Sequence, residues 1–144
     1  MAKPKIDRFT GKHFFLSTYY PSRLMFDGLP YFNSEAAFQA QKTEDERVRL
    51  YFTDLPPNEA KAKGRGIKPR DGWDSMKDDI MYRVCKAKFE QNSKLKKWLL
   101  ETGDAYLENG NSWRDYYWGV CENVGRNKLG NILMKVREEL KNGD

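Results

Sequence analysis

The residues with the clearest chemical potential are Glu35, Gln39 and Lys42. Their spacing of i, i+4 and i+7 would place a carboxylate, an amide and an ammonium on one face of a helix. Such a polar face suits the floor of a binding pocket. The structural alternative is that Glu35 favours the helix dipole from the first turn while Lys42 is solvated. The helix itself is predicted because Asn33 or Ser34 can cap it and three alanines favour it.

A second polar cluster follows, at Gly64-Arg65-Gly66, Trp73, Asp74 and Lys77. Glycine lets a backbone approach a ligand closely, and a guanidinium binds phosphate through a fork of donors. Trp73 could stack on a base, and Lys77 could pair with Asp74 or reach an anion. The structural alternatives are a helix-ending loop with a solvated arginine, a core tryptophan, and an N-cap at Asp74.

A third cluster is the aromatic run from Trp113 to Trp118, which encloses Arg114 and Asp115 and precedes Gly119. A carboxylate surrounded by aromatic rings makes Asp115 a second candidate acid. The alternative is a surface ion pair between Arg114 and Asp115, flanked by rings that belong to the core.

A fourth cluster, residues 125–130, begins and ends with glycine and precedes the last predicted helix. Helix N-termini bind phosphate through their free N–H groups. The spacing matches neither a Walker nor a Rossmann pattern. The alternative is therefore a helix capped by Asn127 after a glycine turn.

The composition limits the classes of protein that remain. A chain of 144 residues predicts one domain over 1–144, and the formal net charge of +5 favours anionic partners, although the charge is spread along the chain. Two distant cysteines, Cys85 and Cys121, and a single histidine, His13, disfavour a zinc site. We expect no metal and no redox cofactor. Reduced cysteines without a signal peptide or a long apolar run predict a cytoplasmic protein with no membrane partner.

The elements that must position these clusters are mostly helices. Residues 1–12 are expected to form a loose N-terminal arm, and Asp27-Gly28 predicts a small hairpin between two apolar runs. Apolar periodicity makes Ser75–Gln91 the longest helix. The prediction is a mainly α, compact single-domain fold with a few short strands. The other predicted elements are strands at His13–Ser17 and Ala105–Glu108 and helices at Glu44–Phe52, Asn58–Lys63, Ser93–Thr102 and Asn127–Lys141.

Taken together, the clusters resemble the NADAR (YbiA-like) family over nearly the whole chain. Each piece is short, and it is their order and spacing that make the resemblance specific. The residues that carry it include Phe15-Leu16-Ser17, Tyr20-Pro21, Ser34-Glu35, Phe38-Gln39, Lys42, Gly64-Arg65, Arg70, Trp73-Asp74, Met81, Lys88-Phe89, Gln91-Asn92, Asp115, Trp118-Gly119, Gly125, Asn127 and Leu129-Gly130.

The resemblance implies an N-glycosidase. Family members hydrolyse the C–N bond at C1 of a phosphorylated ribose in riboflavin intermediates, or release ADP-ribose from guanine bases in nucleic acid. The expected partner is therefore a phosphorylated ribosyl or ADP-ribosyl substrate, either free or carried by ADP-ribosylated nucleic acid. Glu35 and Asp115 are the expected catalytic carboxylates. The residues expected to bind substrate are Ser17, Tyr20, Gln39, Lys42, Arg65, Trp73, Asp74, Lys77, Trp118, Gly119 and Asn127.

One position departs from the family pattern. Many members follow the glutamate with histidine, where this chain has Ala36. The departure puts any role of that imidazole in doubt and supports an alternative function, a non-catalytic module that binds ADP-ribose or a nucleotide. A basic nucleic-acid binder is a third reading, which the dispersed charge disfavours.

Overall fold

The chain divides into two units in a computed structural model that describes residues 3–143. Thr18–Asn92 forms what we call the central unit, and Met1–Ser17 with Ser93–Asp144 forms the terminal unit. Helices dominate both units, so the predicted mainly α class is confirmed. One domain over 1–144 stays a prediction.

The elements follow one another in a simple order. They are β1 (Lys5–Ile6), a 3₁₀ helix (Gly11–Leu16), β2 (Pro21–Phe26), β3 (Leu29–Asn33), α1 (Ser34–Ala40), α2 (Glu46–Phe52), α3 (Pro57–Arg65), α4 (Trp73–Gln91), α5 (Ser93–Glu101), β4 (Tyr106–Leu107) and α6 (Lys128–Lys141).

The predicted hairpin is present, as the antiparallel pair β2 and β3. Asp27 and Gly28 form its turn with φ of 49° and 87°, and both values lie in the left-handed region that a tight hairpin turn requires. Leu24 pairs with Tyr31, and both side chains are buried. The hairpin delivers the chain directly into α1.

Helix α1 is the hub of the central unit. All seven of its residues are buried, and it packs against β2, β3, α2, α3 and α4. Of the two predicted caps, Asn33 is the one that acts, because its Oδ1 accepts a hydrogen bond from the Ala36 backbone N–H at 2.7 Å. Helix α1 is therefore capped at its start and packed against every other element of its unit.

Helix α4 carries the predicted apolar stripe, and Ile80, Val84 and Phe89 are among its buried residues. The same face also buries a charge-bearing side chain, since Lys88 is only 1 % exposed. Burial lowers the pKa of Lys88 to about 8. Its Nζ lies 6.0 Å from the centroid of the Tyr20 ring.

The terminal unit is built on a two-strand parallel pair, β1 with β4. Helix α6 packs against β4 and α5. The arm expected to be loose therefore includes a paired strand at Lys5–Ile6, and Phe9 beyond it is buried. Residues 1 and 2 of that arm lie outside the described residues.

Two local predictions are wrong. His13–Ser17 is not a strand but overlaps the 3₁₀ helix, in which the adjacent Phe15 and Leu16 are both buried instead of alternating as in a strand. The apolar pattern of the predicted helix Glu44–Phe52 favours an inward-facing Tyr51, but Tyr51 is 63 % exposed, with the Lys63 Nζ 4.4 Å from its ring centroid. The helix end predicted at Gly64-Arg65-Gly66 is present, because α3 ends at Arg65 and Gly66 is its C-cap.

The burial of Lys88 predicts a specific pH dependence of stability. An unfolded lysine keeps a pKa near 10.5, so between about pH 8 and pH 10.5 the unfolded chain binds more protons than the folded chain. Through Lys88, the free energy of unfolding should therefore rise with pH in this window, by up to about 1.4 kcal/mol per pH unit. Urea unfolding of Lys88→Met should lack this increment.

Lys135→Met on α6 is the matched control, because this lysine is exposed. Its difference from wild type should be the same at about pH 7 and about pH 10. An equally constant difference for Lys88→Met would contradict the assignment.

Candidate active site

The side chain of Glu35 is buried at the start of α1, with 8 % exposed. Its Oε1 accepts a hydrogen bond from Thr18 Oγ1 at 2.8 Å, and its Oε2 accepts one from Gln39 Nε2 at 2.7 Å. Hydrogen bonds to a charged acceptor are stronger than neutral ones. Both carboxylate oxygens are therefore held in a fixed orientation.

Thr18 also fastens the chain ahead of β2 to the N-terminus of α1. Its carbonyl oxygen accepts from the Glu35 backbone N–H at 3.1 Å and from Ser34 Oγ at 3.2 Å. The sequence interpretation missed Thr18. No local signal marks it, because its contact with Glu35 spans 17 positions of the chain.

Lys42 follows the last turn of α1 and is half-buried. Its Nζ donates a hydrogen bond to the Gly64 carbonyl oxygen at 3.1 Å. Burial lowers the pKa of Lys42, while the charge of Glu35 raises it and the charges of Arg65 and Lys77 lower it. Lys42 therefore lies within electrostatic range of the Glu35 carboxylate and of the two cations Arg65 and Lys77.

Tyr19 belongs to the same group, although the sequence interpretation did not single it out. Burial raises the pKa of its phenol, the nearby Glu35 raises it further, and Arg65 lowers it. The Arg65 side chain is exposed. The Tyr19 phenol therefore lies within electrostatic range of both the Glu35 carboxylate and the Arg65 guanidinium.

Trp73 is a core residue, and Asp74 does not cap a helix. The Trp73 ring is 7 % exposed and packs on Phe38, with the centroids 5.3 Å apart. Asp74 is not the N-cap of α4, since Gly72 occupies that position with φ of 81°. The longer helix places Asp74 in its first turn, where the exposed carboxylate lies 3.2 Å from Lys77 Nζ.

In the terminal unit, Asp115 organises its own loop. Its Oδ1 accepts from the backbone N–H groups of Tyr117 and Trp118, at 3.1 and 2.9 Å. Asn111 holds the backbone of Asp115 from both sides, donating to its carbonyl at 2.9 Å and accepting from its N–H at 3.0 Å. Gly119 is needed for close packing, because a Cβ there would collide with the Asn109 carbonyl oxygen.

Asn127 precedes α6 but does not cap it through its side chain. Its Oδ1 accepts from the Asn109 N–H at 2.8 Å, and its Nδ2 donates to the Leu107 carbonyl at 2.9 Å. With φ of 51°, its backbone turns the side chain into the unit instead of over the helix end. Asn127 therefore occupies the predicted N-cap position, but its side chain makes no capping hydrogen bond.

The central unit thus brings together Glu35, Gln39, Lys42, Arg65 and Lys77. Tyr20 is half-buried in the same unit and lies beside Lys88. Asp115, Trp118, Gly119 and Asn127 belong to the terminal unit, as does Ser17, whose N–H donates to the Phe14 carbonyl at 2.9 Å. Substrate roles for these residues stay predictions.

Within residues 3–143, no three side chains of the types His, Cys, Asp and Glu converge as ligands of a metal ion would. In the same part of the chain, no helix has the length and apolar character needed to cross a bilayer.

Comparison with known proteins identifies the family. The NADAR domain model matches residues 7–141. N-glycosidase YbiA of Shigella boydii is 41% identical over 118 residues, covering 79% of this chain and 73% of the relative. The riboflavin biosynthesis protein VVA0006 of Vibrio vulnificus is 37% identical over 135 residues, covering 90% of this chain but 36% of the relative.

A solved structure agrees with these relatives. The NMR structure of the E. coli protein YbiA matches with a TM-score of 0.88 and 32% identity, covering 99% of this chain and 88% of that one. The family model and the relatives named N-glycosidase place the chain in the class of the N-glycosidases. The chain belongs to the NADAR family.

The hydroxyl of Thr18 should be important for stability because it satisfies a buried carboxylate. Thr18→Val keeps the shape of the side chain but removes the donor to Glu35 Oε1. We expect the free energy of unfolding in urea to fall by about 1.5–3 kcal/mol, as for other hydrogen bonds to charged groups.

Thr53→Val is the control, because its hydroxyl donates to the Leu50 carbonyl at an exposed position where water can replace it. Its cost should stay within about 0.5 kcal/mol. Equal losses for the two variants would show that the Thr18 hydroxyl does not hold Glu35.

Proposed function

We propose that the chain hydrolyses the C–N bond between C1 of a phosphorylated ribose or ADP-ribose and a base or amine. The observation that carries the proposal is the arrangement around Glu35. A buried carboxylate with both oxygens held lies within electrostatic range of Lys42, which is itself within range of Arg65 and Lys77. That combination suits a substrate with an anionic phosphate and a reaction that develops positive charge.

Breaking an N-glycosidic bond develops positive charge on the ribose ring. The Glu35 carboxylate stabilises this charge and accepts a proton from the attacking water, whose oxygen bonds to C1 as the base or amine leaves with the bond's electron pair. The leaving nitrogen then takes up a proton. The same two tasks fall to carboxylates in sugar hydrolases. Lys42, Arg65 and Lys77 bind the phosphate of the substrate.

Glu35 is the principal catalyst in this proposal, and Asp115 is the second candidate. Two backbone N–H groups already occupy Asp115 Oδ1. Those contacts account for Asp115 by its structural role in the loop, and this role requires no part in the reaction. Burial of the Trp73 ring against Phe38 supports a role in walling a pocket more than one in stacking on a base.

The nature of the leaving group is a choice between two known substrate types. The names of the relatives, N-glycosidase YbiA and a riboflavin biosynthesis protein, support a ribosylamine phosphate of the riboflavin type. ADP-ribosylated guanine, free or in nucleic acid, is the other. We place the reaction in the cytoplasm, which the two free, buried cysteines support.

Glu35→Gln should abolish most turnover. Purified protein is given a ribosylamino-pyrimidine phosphate and ADP-ribosylated guanosine in parallel, and the released ribose phosphate or ADP-ribose is quantified. Because a positioned proton transfer contributes about 10²–10⁴-fold, we expect kcat to fall by that factor on the active substrate.

Glu46→Gln is the control, because Glu46 is an exposed glutamate in the first turn of α2. The kcat of Asp115→Asn in the same assay shows how much the second carboxylate contributes compared with Glu35. Calorimetric binding without any product would favour the binding module. No release from either substrate, with Glu35→Gln binding like wild type, would remove the basis for hydrolysis.

Arg65→Ala should weaken substrate binding more than it slows the reaction. The guanidinium would contact phosphate away from C1, so its contribution is shared by the ground state and the transition state. We expect KM to rise about 10-fold or more with kcat little changed, which is the size of one charged hydrogen bond.

Arg47→Ala, on the exposed first turn of α2, serves as the matched loss of one positive charge. Its KM should stay close to that of wild type. A fall in kcat with constant KM for Arg65→Ala would instead place the guanidinium at the reacting atoms.

A further inference from the structure

Gln39 holds Glu35 but leaves half of its own amide unsatisfied. Its Nε2 donates to Glu35 Oε2, while its Oε1 is buried and has no hydrogen-bond partner among residues 3–143. An ionised carboxylate can only accept, so the NH₂ end of the amide must face Glu35. The carbonyl end is thereby forced to face away, toward α3.

The residue that receives this carbonyl end is Gly64. A Cβ built on Gly64 would collide with Gln39 Oε1 and would lie 2.6 Å from Gln39 Cδ. Gly64 lies inside α3, and its backbone does not adopt the left-handed conformation that favours glycine. The missing side chain therefore serves one purpose, which is to leave space for the amide.

Gly64 contacts a second member of the site through its backbone. Its carbonyl oxygen accepts the hydrogen bond from Lys42 Nζ at 3.1 Å. One residue of α3 thus contacts both the side chain that holds the carboxylate and the Lys42 ammonium.

We propose that Gly64 is a positioning residue for the reaction, which keeps the Gln39 amide on Glu35 and anchors Lys42. The inference rests on the proposed function, since Glu35 is the acid it positions. Glycine within a helix and a buried acceptor without a partner both lower stability. A site that retains two such unfavourable features is consistent with selection for activity over stability.

Gly64→Ala tests the inference directly. Alanine favours the helix by up to about 1 kcal/mol, but the displaced amide no longer donates to the buried Glu35 carboxylate, so we expect the Tm to fall modestly. The displaced amide should release Glu35 Oε2, and kcat should drop about 10²-fold, as for a displacement of a reacting group by about 1 Å. KM should change less, because Lys42 is bound by backbone that alanine retains.

Gly66→Ala is the matched control, two residues further along the chain. The nearest atom to its new Cβ would be the Lys63 carbonyl oxygen at 3.5 Å, which is an ordinary contact. Its kcat should equal that of wild type. A similar loss of kcat in Gly64→Ala and Gly66→Ala would overturn the inference.

Gln39→Met removes the amide and the unsatisfied acceptor together. We expect it to lower kcat about as much as Gly64→Ala does, and to lower the free energy of unfolding as Thr18→Val does, because each removes one donor to the buried Glu35 carboxylate. Because both variants break the same contact, the double variant should lose little more than either single variant. If the two losses of kcat multiply in the double variant, the two residues do not act through one shared contact and the inference is wrong. If Gly64→Ala does not fold, the kcat of Gln39→Met alone decides the inference.

An NMR readout separates this inference from the proposed function. The side-chain NH₂ signal of Gln39 should move in Gly64→Ala and stay in place in Gly66→Ala. An unmoved signal in Gly64→Ala overturns the inference whatever the activity. A moved signal in a protein whose wild type cleaves neither substrate supports the positioning contact but contradicts the proposed function.

Discussion

The hydrogen bonds that hold the buried carboxylate of Glu35 are the constraint on which the central unit depends. Thr18 binds one oxygen and Gln39 binds the other. A buried charge destabilises a fold unless such partners compensate it. The segment before β2 and the helix α1 must therefore keep a fixed relation, and Asn33 fixes where that helix begins. Because α1 packs on every other element of its unit, the geometry of the acid is tied to the packing of the whole unit.

The cations near Glu35 supply positive charge for an anionic substrate. Lys42 is partly removed from water, and its ammonium is held by a backbone carbonyl instead of by a carboxylate. This arrangement leaves positive charge available to an anionic ligand, whereas a close ion pair would neutralise it. Arg65, which is exposed, can reach a phosphate that arrives from solvent. A fixed acid beside positive charge matches a reaction at a sugar carbon of a phosphorylated substrate.

The terminal unit shows how polar residues in aromatic surroundings can serve the backbone. Asp115, Asn111 and Asn127 satisfy loop N–H and carbonyl groups that have no strand or helix to pair with. Buried backbone groups need such partners, and asparagine and aspartate supply them where the chain turns sharply. The number of polar side chains around the loop thus has a structural cause, in addition to any part they take in the reaction.

The sequence by itself determined the local features. Asp27-Gly28 specified the hairpin turn, Asn33 the start of α1, and the apolar period the face of α4, because each depends on neighbours within a few positions. The spacing of Glu35 and Gln39 also placed them on one face of α1, whereas Lys42 lies beyond the end of that helix. Only the tertiary structure decided which partners those residues meet. Thr18, Tyr19 and Gly64 reach the site through contacts between distant parts of the chain, and Gly64, at the predicted end of its helix, also leaves space for the Gln39 amide. Long-range packing leaves no periodic mark in the sequence, which is why these residues had to be seen in place.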